Sequence, residues 1–322
     1  MKRALICGVS GQDGAYLAQL LLERGYAVYG TSRDAEARGF ANLVRLGIVG
    51  RVTKMSMALN DFRSVLQVMS SVVPDEIYSL AGQSSVGLSF EQPVETLESI
   101  SMGTLNLLEA IRFLGRPIRL YSAGSSECYG DTGGERAAEG TPFRPRSPYA
   151  VAKATAHWLV ANYRDAYGLH ASTGILFNHE SPLRSRRFVT RKIVAAACAI
   201  ARGSRDRLTL GNLQIHRDWG WAPEYVEAMW LMLQEEQADD YVIATGAAHS
   251  LAQFAAAAFS HFGLDWQQHT DSSTELFRPA DIDYSCGDAA RAARVLKWRA
   301  RFGMPEVVNA MVEAEMAEAA PP

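Results

Sequence analysis

The sequence holds 322 residues, 48% hydrophobic and 21% charged, with 32 basic against 35 acidic side chains and a net charge of -3. That balance disfavours a polyanion-coating protein, which needs a clear basic excess, so no nucleic-acid partner is expected. No apolar run approaches the roughly 18 residues that span a bilayer, and the run Ala4-Leu5-Ile6-Cys7 after Met1-Lys2-Arg3 is too short for a signal peptide. Cys7, Cys128, Cys198 and Cys286 are far apart and form no C-x-x-C pair. Neither a disulfide framework nor a metal site is indicated, and the expectation is a cytoplasmic protein with reduced thiols.

Arg3 to Cys7 is a short apolar run, and Gly8-Val9-Ser10-Gly11-Gln12-Asp13-Gly14 follows at once. Ala15, Tyr16, Leu17, Leu20, Leu21 and Leu22 then recur at helical spacing up to Gly25, a C-terminal stop. Tyr26 to Thr31 reads as a second strand, which completes the unit from which a parallel sheet is built. The alternation continues with strands over 51–55, 76–80, 118–122 and 171–177, and helices over 62–72, 94–114 and 148–167. It predicts an α/β fold, a doubly wound parallel sheet of Rossmann type. Beyond 177 the pattern is less regular. Helices are expected over 193–200, 225–235 and 251–262, a strand over 240–244, and a final surface helix fraying into Pro321-Pro322. The expected division is a nucleotide-binding part, 1–176, and a smaller, mainly substrate-binding domain, 177–322, with some segments returning to the first.

Gly8-x-x-Gly11-x-x-Gly14 differs by one residue from G-x-G-x-x-G, but the physical logic is shared. Absent Cβ atoms permit a tight turn and bring phosphates close to free N–H groups at a helix N-terminus. Three glycines among 26 arise readily by chance; their place between strand and helix is what points to a dinucleotide. After the second strand, Thr31-Ser32-Arg33-Asp34 offers an arginine for a 2′-phosphate and an acid for ribose hydroxyls. Arg33 comes first and favours NADP over NAD.

Tyr149 and Lys153 are four apart at the start of a helix and so share a face. An ammonium beside a phenol lowers the phenol from about 10 towards neutrality, which makes it a base for a sugar hydroxyl. Upstream, the strand end Ser122-Ala123-Gly124-Ser125-Ser126-Glu127 places Ser125 where it can hydrogen-bond the reacting hydroxyl. Glu127 is the informative residue. Simple hydride transfer has no use for a carboxylate, whereas removing a proton from carbon or protonating a leaving hydroxyl does.

Glycine loop, Ser125 with Glu127, and Tyr149-x-x-x-Lys153 resemble the extended short-chain dehydrogenase/reductase enzymes of nucleotide sugars. Within them, Pro142 to Lys153, Phe177-Asn178-His179-Glu180-Ser181-Pro182, Phe188-Val189-Thr190-Arg191-Lys192-Ile193, Arg217-Asp218-Trp219 and Arg278-Pro279-Ala280 resemble the GDP-mannose 4,6-dehydratase family over nearly the whole chain. The resemblance implies GDP-mannose as substrate, NADP as cofactor, and a homodimer or homotetramer built on the 94–114 and 148–167 helices. It implies catalytic roles for Ser125, Glu127, Tyr149 and Lys153. It implies cofactor contacts from Gly8, Val9, Ser10, Gly11, Gln12, Asp13, Gly14, Arg33, Leu59, Asn60, Leu80, Ala81, Gly82, Gln83, Ser84, Tyr149, Lys153, His179 and Arg184. Substrate contacts are implied for Ser84, Ser125, Glu127, Asn178, Val189, Lys192, Arg217 and Arg278. Trp219 is either a base-stacking ring or a core tryptophan. The alternatives are another nucleotide-sugar 4,6-dehydratase, acting on a dTDP- or UDP-sugar, and a 4-epimerase or 4-reductase of the same fold; the last two have no need of Glu127.

Three positions depart from the family pattern. Met57-Ala58-Leu59 stands where relatives carry Gly-Asp-Leu, leaving Asn60 or Asp61 to replace the missing carboxylate. Asp34-Ala35-Glu36-Ala37-Arg38 lacks the second arginine usual after Arg33, with Arg38 the nearest cation. Ser125 replaces a threonine. Two pyrophosphate-bearing ligands in an acidic protein lead to a further expectation: Arg33, Arg184, Lys192, Arg217 and Arg278 concentrate in the cleft and the acids lie elsewhere.

Overall fold

Strand β1 (Arg3–Cys7) buries alternate side chains in two layers, Ala4 and Ile6 on one face, Leu5 and Cys7 on the other. That two-sided burial is what a parallel sheet covered by helices requires. The computed structural model describes residues 1–37 and 39–318; Arg38 and the Pro321-Pro322 end lie outside the described residues. The strands after β1 are β2 (Ala27–Ser32), β3 (Thr53–Ser56), β4 (Glu76–Ser79), β5 (Arg119–Ala123), β6 (Ala171–Leu176), β7 (Asn178–Glu180), β8 (Leu208–Leu210), β9 (His216–Trp221), β10 (Tyr241–Ile243), β11 (Ala248–Ser250), β12 (Thr270–Ser272) and β13 (Tyr284–Ser285). Seven of them form one sheet in the order β10-β6-β5-β4-β1-β2-β3, every pairing parallel.

Winding runs outward from β1 to β3, then resumes at β4 on the other side of β1. The resulting switch point opens a crevice beyond the strand carboxyl ends, the usual ligand position in such sheets. Helices Gln12–Glu23 and Ala222–Met232 cover the Ile6 face. Helices Phe62–Val72, Gly103–Leu114 and Pro148–Tyr167 cover the Leu5 face.

The helix expected over 94–114 is three contiguous segments: Pro93–Leu97, a π-helical turn Glu98–Met102, and Gly103–Leu114. The wider turn keeps Ile100 buried against Gly82 while Glu98 and Ser99 face the crevice. Further along, β9 pairs with β7, β11 and β13, and β8 with β12. A third core joins helices Val189–Ala201, Leu251–Ser260 and Met304–Glu318 around Trp219. The last of these was expected as a surface helix, yet Val307, Val308, Met311 and Val312 are fully buried. Its Glu315 pairs inside the protein with Arg191. The strand expected over 240–244 is β10, which closes one edge of the main sheet.

Candidate active site

The ends of β1, β2, β3 and β4 open on one cleft of about 680 Å3. Gly8 adopts φ +89°, and a Cβ there would come within 2.9 Å of the Ala81 backbone. At Gly14 a Cβ would strike the Gly8 carbonyl and lie 2.7 Å from the Val9 Cα. Gly11 caps helix Gln12–Glu23 with no side-chain hydrogen bond, so the first-turn N–H groups are left to a ligand. These features fit the pyrophosphate of a dinucleotide. Gly14→Ala is expected to lose about 1–3 kcal/mol of stability through overpacking and to emerge without bound nucleotide. Thermal denaturation and the absorbance of nucleotide released on denaturation check this; full nucleotide content would contradict the cradle.

Gly8, Ser10, Gly11, Gln12, Asp13, Gly14, Arg33, Leu59, Asn60, Arg184 and the run Leu80 to Ser84 line the cleft. Val9 does not, because its fully buried side chain packs against Gly30 and only its backbone borders the loop. Asn60 rather than Asp61 faces the cleft, since the Asp61 carboxylate caps helix Phe62–Val72 by accepting from the Arg63 N–H at 2.9 Å. His179 lies behind the loop, Nε2 3.0 Å from Asp13 Oδ2.

The four candidate catalytic residues gather at the end of β5, outside the walls of that cleft. Ser125 caps the turn Ser126–Tyr129, its Oγ accepting from the Glu127 N–H at 3.3 Å. Ser147 caps helix Pro148–Tyr167 by accepting from the Ala150 N–H, which aims Tyr149 inward from the first turn. Lys153, one turn on, donates from Nζ to the Ala123 carbonyl at 2.6 Å and lies 5.8 Å from the centre of the Tyr149 ring. The electrostatics correct the sequence expectation. Burial pushes the Tyr149 phenol above its ordinary value, and hydrogen bonding with Ser125 and the charge of Arg184 only partly oppose this. Burial also draws the Lys153 ammonium down to about 8. Lys153 is engaged with a carbonyl, so the phenolate is not preformed by the lysine alone.

Glu127 is half-buried and faces Arg217 and Arg278; desolvation raises its carboxyl above the usual range, and the two guanidinium groups oppose that rise. Arg217, on β9, lies 3.4 Å from Asp281, which is also 3.9 Å from Arg278. The fold thus brings a carboxylate from the first half against two arginines from the second. Asn178 opens β7 beside Trp219. Val189 and Lys192 start helix Val189–Ala201, where Lys192 donates to the Thr209 carbonyl at 2.7 Å and borders a separate hollow of about 310 Å3. Neither lines the main cleft. Trp219 is buried with its ring 5.1 Å from that of Phe254, so the core reading holds.

The expected separation of cations from acids is not what the chain builds. Arg33 pairs with Glu95 at 3.1 Å, Arg184 with Glu180 at 3.2 Å, His179 with Asp13, and Arg217 and Arg278 share Asp281. Arg217 is buried and Arg184 half-buried, and a cation withdrawn from water is held only at high cost unless a counter-ion accompanies it; the exposed Arg33–Glu95 pair carries no such requirement. Sequence reasoning passed over Thr31, Ser32, Asn42, Ser85, Glu98, Ser99 and Arg187 as lining residues. Asn42 donates to the Ser10 carbonyl at 3.1 Å from a short helix that no periodicity announced. Arg187 had a legible signal, three arginines within the four residues 184–187.

A family profile described as GDP-mannose 4,6 dehydratase matches residues 5–311. The chain belongs to the GDP-mannose 4,6-dehydratase family. Among its relatives, GDP-mannose 4,6 dehydratase 1 of Arabidopsis thaliana is 45% identical, with 98% of this chain and 90% of that protein covered. The Sinorhizobium fredii GDP-mannose 4,6-dehydratase is 43% identical over 98% of this chain and 97% of that one. The Homo sapiens member is 40% identical over 97% and 91%. Solved structures carry the same fold beyond the GDP-mannose 4,6-dehydratase family. A Thermus thermophilus UDP-glucose 4-epimerase, in complex with NAD, superposes with a TM-score of 0.85 at 26% identity, covering 99% of this chain and 100% of that one. A Bacillus anthracis dTDP-glucose 4,6-dehydratase gives 0.85 at 17% identity over 98% and 96%.

Proposed function

We infer that the protein converts GDP-mannose to GDP-4-dehydro-6-deoxy-mannose and water by an internal redox cycle with NADP. The observation that carries this reading is Glu127, a half-buried carboxylate set between the Ser125–Tyr149–Lys153 cluster and Arg217 with Arg278. An epimerase or reductase needs no such group. The glycine loop, Arg33, the Leu80 to Ser84 run and Arg184 would hold NADP, which when bound would supply a hydride acceptor at C4 and a hydride donor at C6.

Tyr149 accepts the proton of the 4-hydroxyl as C4 is oxidised, and Ser125 and Lys153 orient that hydroxyl and support the charge on the phenol oxygen. The 4-ketone acidifies the C5 proton, which Glu127 takes. Glu127 then gives the proton to the departing 6-hydroxyl, and water leaves. C5 regains one proton as C6 is reduced, equal in number to the one Tyr149 accepted, so atoms and electrons balance. A carboxyl held above its ordinary range suits a group that both takes and gives a proton near neutrality. Ser84, Asn178, Val189, Lys192, Arg217 and Arg278 are proposed to hold the GDP-sugar, the arginines as forks for its phosphates.

We divide the chain into an NADP-binding part, 1–176, and a mainly substrate-binding part, 177–322, with β10 and helix Ala222–Met232 returning to the main sheet. Val94, Met102, Phe113, Val151, Trp158 and Tyr167 are exposed on the segments 93–114 and 148–167. An apolar face of this kind supports a homodimer through these helices. No helix among the described residues is long and apolar enough to cross a membrane; the four free cysteines, all buried, suit a cytoplasmic location. Incubation with GDP-mannose and NADP+, followed by mass spectrometry, is expected to show loss of one water from the sugar nucleotide. An unchanged substrate mass under those conditions would refute the activity.

A further inference from the structure

His179 occupies a position that determines its charge. Its Nδ1 lies 2.7 Å from the Phe177 carbonyl oxygen and its Nε2 3.0 Å from Asp13 Oδ2. A carbonyl only accepts, and an ionised carboxylate only accepts, so both ring nitrogens must carry hydrogen. Asp13 is ionised: the His179 charge, with hydrogen bonds from His179 and Gln12, overcomes burial and holds its carboxyl down at about 2. Gln12 Nε2 occupies the second face of the carboxylate, donating to Asp13 Oδ1 at 2.9 Å. We infer that Asp13 is a positioning residue that keeps His179 as an imidazolium fixed behind the glycine loop, and that this ion pair holds the loop in the shape that takes the phosphates of the nucleotide.

Three titratable groups face the ring. Asp13 comes from the glycine-loop helix, Arg184 from the segment after β7, and Tyr225 from helix Ala222–Met232, its ring stacked 4.6 Å from the imidazole. Tyr225 is buried and neutral, since burial pushes its phenol far up. Arg184 opposes the imidazolium but is held by Glu180 at 3.2 Å. Asp13 is therefore the group that decides the charge. Burial alone would deprotonate His179; Asp13 reverses this and raises the ring above its ordinary value. The same pair also joins the two halves of the site. Gln12 donates to the His179 carbonyl at 3.1 Å, and Ser181 donates to Gln12 Oε1 at 2.8 Å. The segment that carries Asn178 and Arg184 is thereby fastened to the phosphate loop. Asp13 itself lines the cleft, and through His179 it also fixes the back of the loop.

The inference rests on the NADP reading for its consequence, but its first readout is independent of any nucleotide. In the full-length protein freed of nucleotide, nitrogen-15 spectra of the histidine rings at pH 7.5, with the His179 signals assigned through His179→Gln, are expected to show both nitrogens protonated. In Asp13→Asn one nitrogen is expected to lose its proton at that pH. NADP is expected to bind Asp13→Asn about tenfold more weakly at pH 7.5, because one charge-assisted hydrogen bond that fixes the loop is lost, and to recover as the pH falls and the ring recharges; Asp13→Glu is expected to restore part of the affinity. An unprotonated nitrogen in the unsubstituted protein would overturn the inference, as would undiminished NADP affinity in an Asp13→Asn protein whose His179 is neutral. A doubly protonated ring in a protein that fails to bind NADP would overturn the cofactor reading instead.

Discussion

Glu127→Gln is expected to leave the protein folded and loaded with cofactor, yet to lower the rate of water loss from GDP-mannose by about 100- to 10,000-fold. Glutamine keeps the shape of the side chain and cannot accept the C5 proton. The arginines then lose a competing acceptor, because Glu127 faces Arg217 and Arg278 across the site. Substrate KM is therefore expected to stay level or fall while kcat collapses, a pattern that a folding defect does not produce. Oxidation at C4 does not involve Glu127. A single burst of reduced-nucleotide absorbance, equal to the active sites, is expected to appear and persist. Ordinary turnover by this variant would remove the carboxylate from the mechanism.

Tyr149→Phe is expected to fail one step earlier. The substitution removes the acceptor of the 4-hydroxyl proton and nothing else of size, and turnover should fall by about 100- to 10,000-fold. Here the burst should vanish along with turnover, because C4 is never oxidised. The ring is buried, so the folded state keeps its packing and cofactor content should match the parent. The two variants separate the halves of the cycle. Glu127→Gln stops after oxidation and Tyr149→Phe before it. A burst retained in Tyr149→Phe would transfer the role of base to another group.

The sheet was legible because its central strands are short apolar runs buried on both faces. Arg3–Cys7 and Phe62–Val72 appear in the structure with the bounds that the sequence indicates. The π-turn at Glu98–Met102 was not legible, since no residue type marks a wider turn within a helical run. Strands of two or three residues, such as β7, β8 and β13, are too short for any period to register. At the site, residue types located the tyrosine, lysine and glutamate, but pairing was invisible. Nothing in the spacing of Asp13 and His179, or of Arg217 and Asp281, announces that they meet across the fold. The same blindness hid the burial that outweighs the lysine and raises the Tyr149 phenol. The carbonyl of Ala123, which takes the lysine, leaves no mark in a sequence.

The central claim is that one hydride leaves C4 and returns to C6 of the same sugar within one active site. GDP-mannose carrying deuterium at C4, turned over with catalytic NADP+ and read by mass spectrometry and NMR, tests it directly. The 4-keto product is expected to keep the label, now on the C6 methyl group, with no net accumulation of reduced nucleotide. Product without deuterium at C6, or reduced nucleotide accumulating in proportion to product, would contradict it.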